Sequence, residues 1–313
     1  MMETMKAVRI HRYGGPDALV FETAPCPRPG NGEVLIRVHA TAVNPVDWKI
    51  REGYLKDVLQ HKLPLIIGWD LSGTVIETGP GVTRFRAGDE VFSRPDIMRD
   101  GTYAEIIVVR ETEVALKPKS LDHLHAAAIP LAATTAWQAL FDAAGLSEGQ
   151  RILIHAAAGG VGSFAVQLAK WKGAQVIGTA SARNHDYLRA LGADEVIDYR
   201  TVLFEEAVRY VDVVFDTIGG DTQDRSWKVL KPGGILVSIL RPPSAETAAE
   251  YGVRQEFVFM QPNAAELTEI AELVDAGKLR AVVDTVLPLA DARRAHQLNQ
   301  MGHTRGKIVL KVL

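Results

Sequence analysis

The sequence predicts an α/β protein in which a doubly wound parallel-sheet domain is inserted into a β-rich one. Three features carry the prediction. Residues 1–124 read as short alternating strands between Gly/Pro turns. Residues 125–261 alternate strands with helices. Residues 262–313 end on one more strand that needs a sheet to join.

In the first stretch, Lys6–Ile10 and Glu33–Ala40 alternate apolar and polar residues, and 73–77, 90–92 and 103–109 are further short runs. Turn residues separate them: Gly14-Gly15-Pro16, Pro29-Gly30-Asn31-Gly32, Gly79-Pro80-Gly81 and Ala87-Gly88-Asp89. This pattern fits a sandwich or partly open barrel. The second stretch predicts strands at 151–156, 175–179, 195–197, 211–215 and 234–239, with helices at 161–172 and 185–191, hence βαβ units around a parallel sheet. The last stretch predicts helices at 264–276 and 291–300 and strands at 282–286 and 307–312. The final strand is expected to return to the β-rich part. The domains are therefore 1–124 with 262–313, and 125–261.

Composition narrows the function. The chain has 313 residues, 47% hydrophobic and 23% charged, with a formal net charge of −3 and one cysteine, Cys26. It offers no basic footprint for nucleic acid or an anionic membrane surface. One cysteine excludes an intrachain disulfide framework and a multi-cysteine metal site. No apolar run reaches the ~20 residues of a membrane span, and the first ten residues lack a signal-like apolar core. A cytoplasmic protein is the expectation.

The chemistry-bearing motif is Ala156-Ala157-Ala158-Gly159-Gly160-Val161-Gly162, directly between the first strand and first helix of the inserted domain. Small residues allow a tight turn and a close approach to pyrophosphate, and the helix N-terminus offers free N–H groups to it. Gly159, Gly160, Val161 and Gly162 form the candidate phosphate-binding turn, with Gly162 allowing close helix–strand packing. A second strand ending at Thr179 completes the context that a dinucleotide fold needs. An NAD site wants an acid about 20 residues past the turn. Here the stretch Gly178-Thr179-Ala180-Ser181-Ala182-Arg183-Asn184 has none. Ser181 and Arg183 offer a hydroxyl and a guanidinium instead, which suit a 2′-phosphate. The expected cofactor is NADPH.

The motif His155–Gly162, the segment Gly192–Tyr199, Phe215–Gly220, Val43-Asn44-Pro45-Val46-Asp47 and the ending Gly306–Leu310 together resemble the quinone oxidoreductase (zeta-crystallin-like) branch of the medium-chain dehydrogenase/reductases. The resemblance spans essentially the whole chain. It implies a GroES-like catalytic domain with an inserted Rossmann domain, NADPH in the cleft between them, and a homodimer. Carried over by position, it puts Asn44, Val46, Asp47 and Thr134 at the nicotinamide side. It puts Ser181, Arg183 and Tyr199 around the 2′-phosphate, and Thr217, Ile239 and Arg241 along the adenosine and nicotinamide edges. Lys307 is implied at a phosphate. Zinc dehydrogenases of the superfamily have Cys where this chain has Asn44, and Gly-His-Glu where it has Gly68-Trp69-Asp70. A zinc-free site is expected, since catalytic zinc needs about three protein ligands. His123 and His125 are read as first-turn helix residues.

Without a Lewis acid, hydride transfer to an already electron-poor acceptor, a quinone or an α,β-unsaturated carbonyl, is the expected reaction. Asn44 and Tyr54 are candidate donors to the developing oxyanion, and Trp69 a candidate platform for a flat substrate. Two alternatives stand beside this: an NADPH-dependent ketone reductase on the same scaffold, and an NADPH-binding structural or regulatory protein with little turnover.

Overall fold

A computed structural model describes residues 3–313. It divides the chain into two compact units. The first is Met1–Leu131, Gln261–Gly277 and Ala281–Leu313, and the second is Ala132–Met260 with Lys278–Arg280. The crossover therefore falls at 131/132 rather than 124/125. The helix His123–Ala127, which the expected boundary cuts, packs whole on the strands of the first unit. Its small apolar face, Ala127 and Ala128, fits against Ala40, Ala42 and Val309.

Along the chain the strands are β1 (Thr4–Ile10), β2 (Leu19–Pro25), β3 (Glu33–Val43), β4 (Leu65–Ile66), β5 (Leu71–Thr78), β6 (Glu90–Ser93), β7 (Ile106–Arg110), β8 (Val114–Leu116), β9 (Arg151–Ile154), β10 (Gln175–Ala180), β11 (Glu195–Asp198), β12 (Val211–Asp216), β13 (Leu230–Ser238), β14 (Arg254–Phe257), β15 (Val283–Pro288) and β16 (Lys307–Lys311). The sequence reading passed over β2, β4, β8 and β14. Each is either very short or, like β2, interrupted by polar residues, so its alternation is weak.

In the first unit β3 is the hub. Its first half pairs antiparallel with β5 and β7, and its last four residues pair with β16. Val34, Ile36 and Val38 enter one apolar cluster, while Leu35 enters another with Trp69, Ile10 and Tyr103, the period-2 division of a strand between two faces. The final strand thus joins the β-rich sheet, as expected from the sequence.

The second unit is a parallel sheet in the order β11-β10-β9-β12-β13-β14. The chain winds outward from β9 in one direction and from β12 in the other, so the strand order reverses between them. That reversal is where an open α/β sheet binds its ligand. Leu153, Val214 and Leu236 belong to its buried core.

Candidate active site

The second unit gathers its expected residues at the carboxyl ends of adjacent strands. After β9 the backbone turns through Ala156 at φ 46° into the helix Gly160–Trp171. Gly162 cannot be replaced without movement, because a Cβ there would lie 2.5 Å from the Ala156 carbonyl oxygen and 2.7 Å from Ala157 Cα. Gly159 caps the helix with no side chain, so the first-turn N–H groups of Gly160, Val161 and Gly162 are unspent by any side-chain cap. A pyrophosphate fits such a cradle.

β10 pairs with β11 so that Ala180 lies opposite Asp198. The residues just beyond, Ser181–Arg183 and Tyr199, therefore emerge side by side. Ser181 is buried, and Arg183 and Tyr199 are exposed. The Arg200 guanidinium stands 5.9 Å over the Tyr199 ring.

Thr179, where the second predicted strand ends and a further candidate cofactor contact, and Thr217 are both committed inward. Thr179 Oγ1 lies 3.2 Å from His155 Nδ1 and accepts the Ala156 N–H. Thr217 Oγ1 donates to the His155 carbonyl at 2.7 Å. They brace the turn, which leaves phosphate recognition to the backbone. Ile239 is half-buried just past β13. Arg241 donates to Gln223 Oε1 at 2.8 Å and pairs with Asp224. Thr134 is buried in the helix Pro130–Trp137 with its hydroxyl unpartnered.

The first unit holds a second, fully buried group of polar residues. Register builds it: Val43 faces Ile308, which sets Asn44 beside Lys307, and Ala40 faces Ser72, which brings the start of β5 and Asp70 to the same end. Asn44 then opens the helix Pro45–Glu52, where Pro45 fits the first helical position and Asp47 Oδ2 accepts the Asn44 N–H at 2.8 Å. Asn44 Nδ2 donates to Asp70 Oδ2 at 2.7 Å and to the Ala42 carbonyl at 3.4 Å. Lys307 Nζ donates to Asn44 Oδ1 and, at 3.1 Å, to Asp70 Oδ2. The Leu131 N–H donates to Asp70 Oδ1 at 2.6 Å.

This geometry corrects three expectations. Asn44 has no donor left for a substrate, because both Nδ2 hydrogens are spent within the protein. Lys307, implied at a phosphate, is 4% exposed and turned onto Asn44 and Asp70. Trp69 is fully buried among core residues, stacked on His61 with ring centroids 6.0 Å apart, so it is no exposed platform for a substrate. Tyr54 also falls elsewhere. It is 68% exposed beyond Gly53, edge-on to Trp48, and its hydroxyl bonds Glu52, which raises the phenol's pKa.

Sequence reasoning missed a chain behind Asp47. Tyr103 donates its hydroxyl to Asp47 Oδ2 at 3.0 Å. His296 Nε2 lies 3.2 Å from Tyr103 Oη, and Arg51 Nη1 lies 3.0 Å from His296 Nδ1. Gly68 makes room for it. At φ 90° and 2.1 Å from the Tyr103 ring at its would-be Cβ, no other residue fits. No spacing in the sequence links positions so far apart. Burial, opposed only in part by the Asn44 N–H and Lys307, raises the Asp47 carboxyl to about 7. Burial and Arg51 hold His296 neutral, down to about 3.

The fold and these two groups of residues define a nicotinamide-dependent oxidoreductase. The first unit's residues 30–119 match the model for the alcohol dehydrogenase GroES-like domain, and 191–310 match that for zinc-binding dehydrogenases. The NAD(P)H oxidoreductase RTN4IP1, mitochondrial, of Danio rerio is 35% identical, over 99% of this chain and 92% of its own. The chloroplast envelope quinone oxidoreductase homolog of Arabidopsis thaliana is also 35% identical, over 98% of both chains. The solved quinone oxidoreductase of Coxiella burnetii superposes with a TM-score of 0.92 at 38% identity, over 99% of this chain and 100% of that one. The chain belongs to the zinc-independent quinone oxidoreductase branch of the medium-chain dehydrogenase/reductase superfamily.

Proposed function

We propose that this oxidoreductase uses NADPH, without zinc, to reduce a quinone or an α,β-unsaturated carbonyl. The observation that carries the reading is the closed Asn44–Asp70–Lys307 group. Its donors and acceptors are spent on one another around a buried ammonium, which leaves no open set of ligands for a metal. Among the described residues no group of three or more His, Cys, Asp or Glu side chains is placed to hold one.

Bound NADPH would supply the hydride. The chain's own part is binding, orientation and a proton. The N–H groups after Gly159 receive the pyrophosphate, and Ser181, Arg183 and Tyr199 favour a 2′-phosphate because no carboxylate ends β10. The relatives' names, NAD(P)H oxidoreductase and quinone oxidoreductase, support a nicotinamide donor and a quinone acceptor. A homodimer is proposed with it, since β14 ends its sheet; light scattering tests that.

The function is tested by NADPH oxidation with 1,4-benzoquinone, an aryl enone and an activated ketone, alongside metal analysis. Turnover of the first two, no stoichiometric zinc and indifference to chelators are expected. Turnover of ketones alone makes it a carbonyl reductase, and tight NADPH binding without turnover makes it a binding protein. The Arg183→Ala variant should weaken NADPH more than NADH, and equal loss removes Arg183 from the phosphate site.

A further inference from the structure

Asp216 closes β12, at the carboxyl end of the sheet and beside the point where the strand order reverses. Its side chain is fully buried, and so is Ser238, its register partner at the end of β13. Four neutral donors fill the carboxylate. Oδ1 accepts the Ile218 N–H at 2.9 Å and the Gly219 N–H at 2.8 Å. Oδ2 accepts Gln223 Nε2 at 3.0 Å and the Ser238 hydroxyl at 2.8 Å. An ionised carboxyl offers about four acceptor sites and no donor, so an amide in its place could not serve all four.

The four donors belong to both loops that leave this end of the sheet. Ile218 and Gly219 turn the chain after β12, with Gly219 at φ 74°, into the helix Gly220–Ser226. Ser238 passes the tie to the loop after β13, since its Oγ accepts the Leu240 N–H at 3.2 Å. Gln223, 2% exposed, does the same for Arg241. Its Nε2 donates to the Arg241 carbonyl at 3.2 Å, and its Oε1 accepts Arg241 Nε at 2.8 Å. The direction of the Gln223 amide is fixed from both sides, because Asp216 only accepts and a guanidinium only donates. The loops also meet directly: a Cβ on Gly219 would lie 3.3 Å from Leu240 Cβ. Ile218 and Leu240, 50% and 36% exposed, are the apolar side chains they present at the end where an open sheet takes its ligand. A buried carboxylate is expensive, and an apolar side chain would fill the same space. What only the carboxylate supplies is the tie between residues 217–219 and 239–241.

We infer that Asp216 is a positioning residue for the dinucleotide: from inside the sheet it sets the two loops against which the cofactor lies, without touching it. This rests on the reading that the chain binds a nicotinamide dinucleotide. Asp216 forms no bond in the reaction and supplies no proton. Its part is to hold two strand ends in one arrangement before the cofactor arrives.

Calorimetry with NADPH on the full chain tests the role. Asp216→Asn keeps an Oδ1 for Ile218 and Gly219 but turns an amide nitrogen toward Gln223 Nε2, so it releases the second loop and leaves the first turned. It should bind NADPH about tenfold more weakly, the scale of one lost hydrogen bond to a charged group. Gln223→Glu sets two carboxylates face to face and should weaken binding at least as much. The double variant pairs the new amide with the new carboxylate, which still accepts Arg241 Nε, and should bind about threefold tighter than either single variant. Hydrogen exchange distinguishes positioning from a failure to fold: in Asp216→Asn the Leu240 amide should exchange faster while those of Ile218 and Gly219 stay protected. In quinone reduction the KM for NADPH should rise by the same factor as the dissociation constant, with kcat at saturation unchanged. Wild-type affinity in Asp216→Asn, additive single variants, or a fall in kcat with KM unmoved overturns the positioning role. Exchange speeded equally at all three amides marks a structural residue and overturns it too. A wild-type protein that binds no NADPH overturns the cofactor reading, and this role with it. One that binds NADPH but turns over no acceptor loses the reductase reading, while the affinities of the variants still decide the role of Asp216.

Discussion

Replacing Lys307 by Met should destabilise the first unit by about 3 kcal/mol, the lower end of what breaking one side of a buried ion pair costs. The ammonium and the Asp70 carboxylate are 4% and 0% exposed, with Nζ 3.1 Å from Oδ2. Methionine keeps much of the side chain's length and apolar contact but leaves a buried carboxylate without its countercharge. Two donors remain on Asp70, the Leu131 N–H at 2.6 Å and Asn44 Nδ2 at 2.7 Å, which is why the lower end applies. Asn44 Oδ1 also loses its donor. The Asp70→Asn variant tests the pairing from the other side, since an amide cannot accept from both Leu131 and Asn44 without turning an N–H toward one of them. If the pair is real, the double variant should cost less than the sum of the two by at least about 2 kcal/mol, beyond the additivity of independent sites. Denaturation gives the global effect, and native-state hydrogen exchange of β3, β5 and β16 reads the first unit separately, since two units need not unfold in one step. A Lys307→Met loss below about 1 kcal/mol, or additive single variants, refutes the electrostatic clamp.

Three shorter predictions concern Asp47, the buried histidines and the glycine turn. The folded-state pKa of Asp47 is raised from 3.8 to about 7, so its contribution is present below about pH 4 and is lost as pH rises to about 7, some 4 kcal/mol in all; Asp47→Asn should flatten that decline in urea unfolding, and an unchanged slope contradicts the burial. His155 and His296 are depressed from 6.5 to about 4 and about 3, so the stability they carry is full above pH 6.5 and declines as pH falls toward those values; His155→Gln should reduce the acid-side slope by about one proton. Gly162→Ala, whose Cβ would meet backbone at 2.5 Å, should weaken NADPH at least tenfold by calorimetry, and wild-type affinity would mean that the turn holds no phosphate.

The second unit was largely legible because its signals are local. A strand, a glycine turn and a helix follow one another within a short span, and β9, the helix Gly160–Trp171 and β10 lie where their apolar periods put them. The missing acid at Ser181–Arg183 is equally local, a matter of which residue ends a strand. The first unit shows the opposite. Asn44, Asp47, Trp69 and Lys307 can each be singled out by type and motif, yet the contacts they make within the protein have no local signal in the sequence. Those contacts are set by register between strands far apart in the chain, Val43 against Ile308 and Ala40 against Ser72. A one-residue slip there would turn the alternating side chains to the other face. It would move Lys307 out of reach of Asp70 and leave that carboxylate buried with no ammonium beside it. The sheet pairing and the buried charges therefore constrain each other. Apolar alternation in β3 and β16 allows their pairing, and the Lys307–Asp70 bond penalises every register but one. The polar cluster is thus part of what specifies this sheet. That explains why a group so expensive to bury stands at the meeting of β3, β5 and β16 and not on a loop.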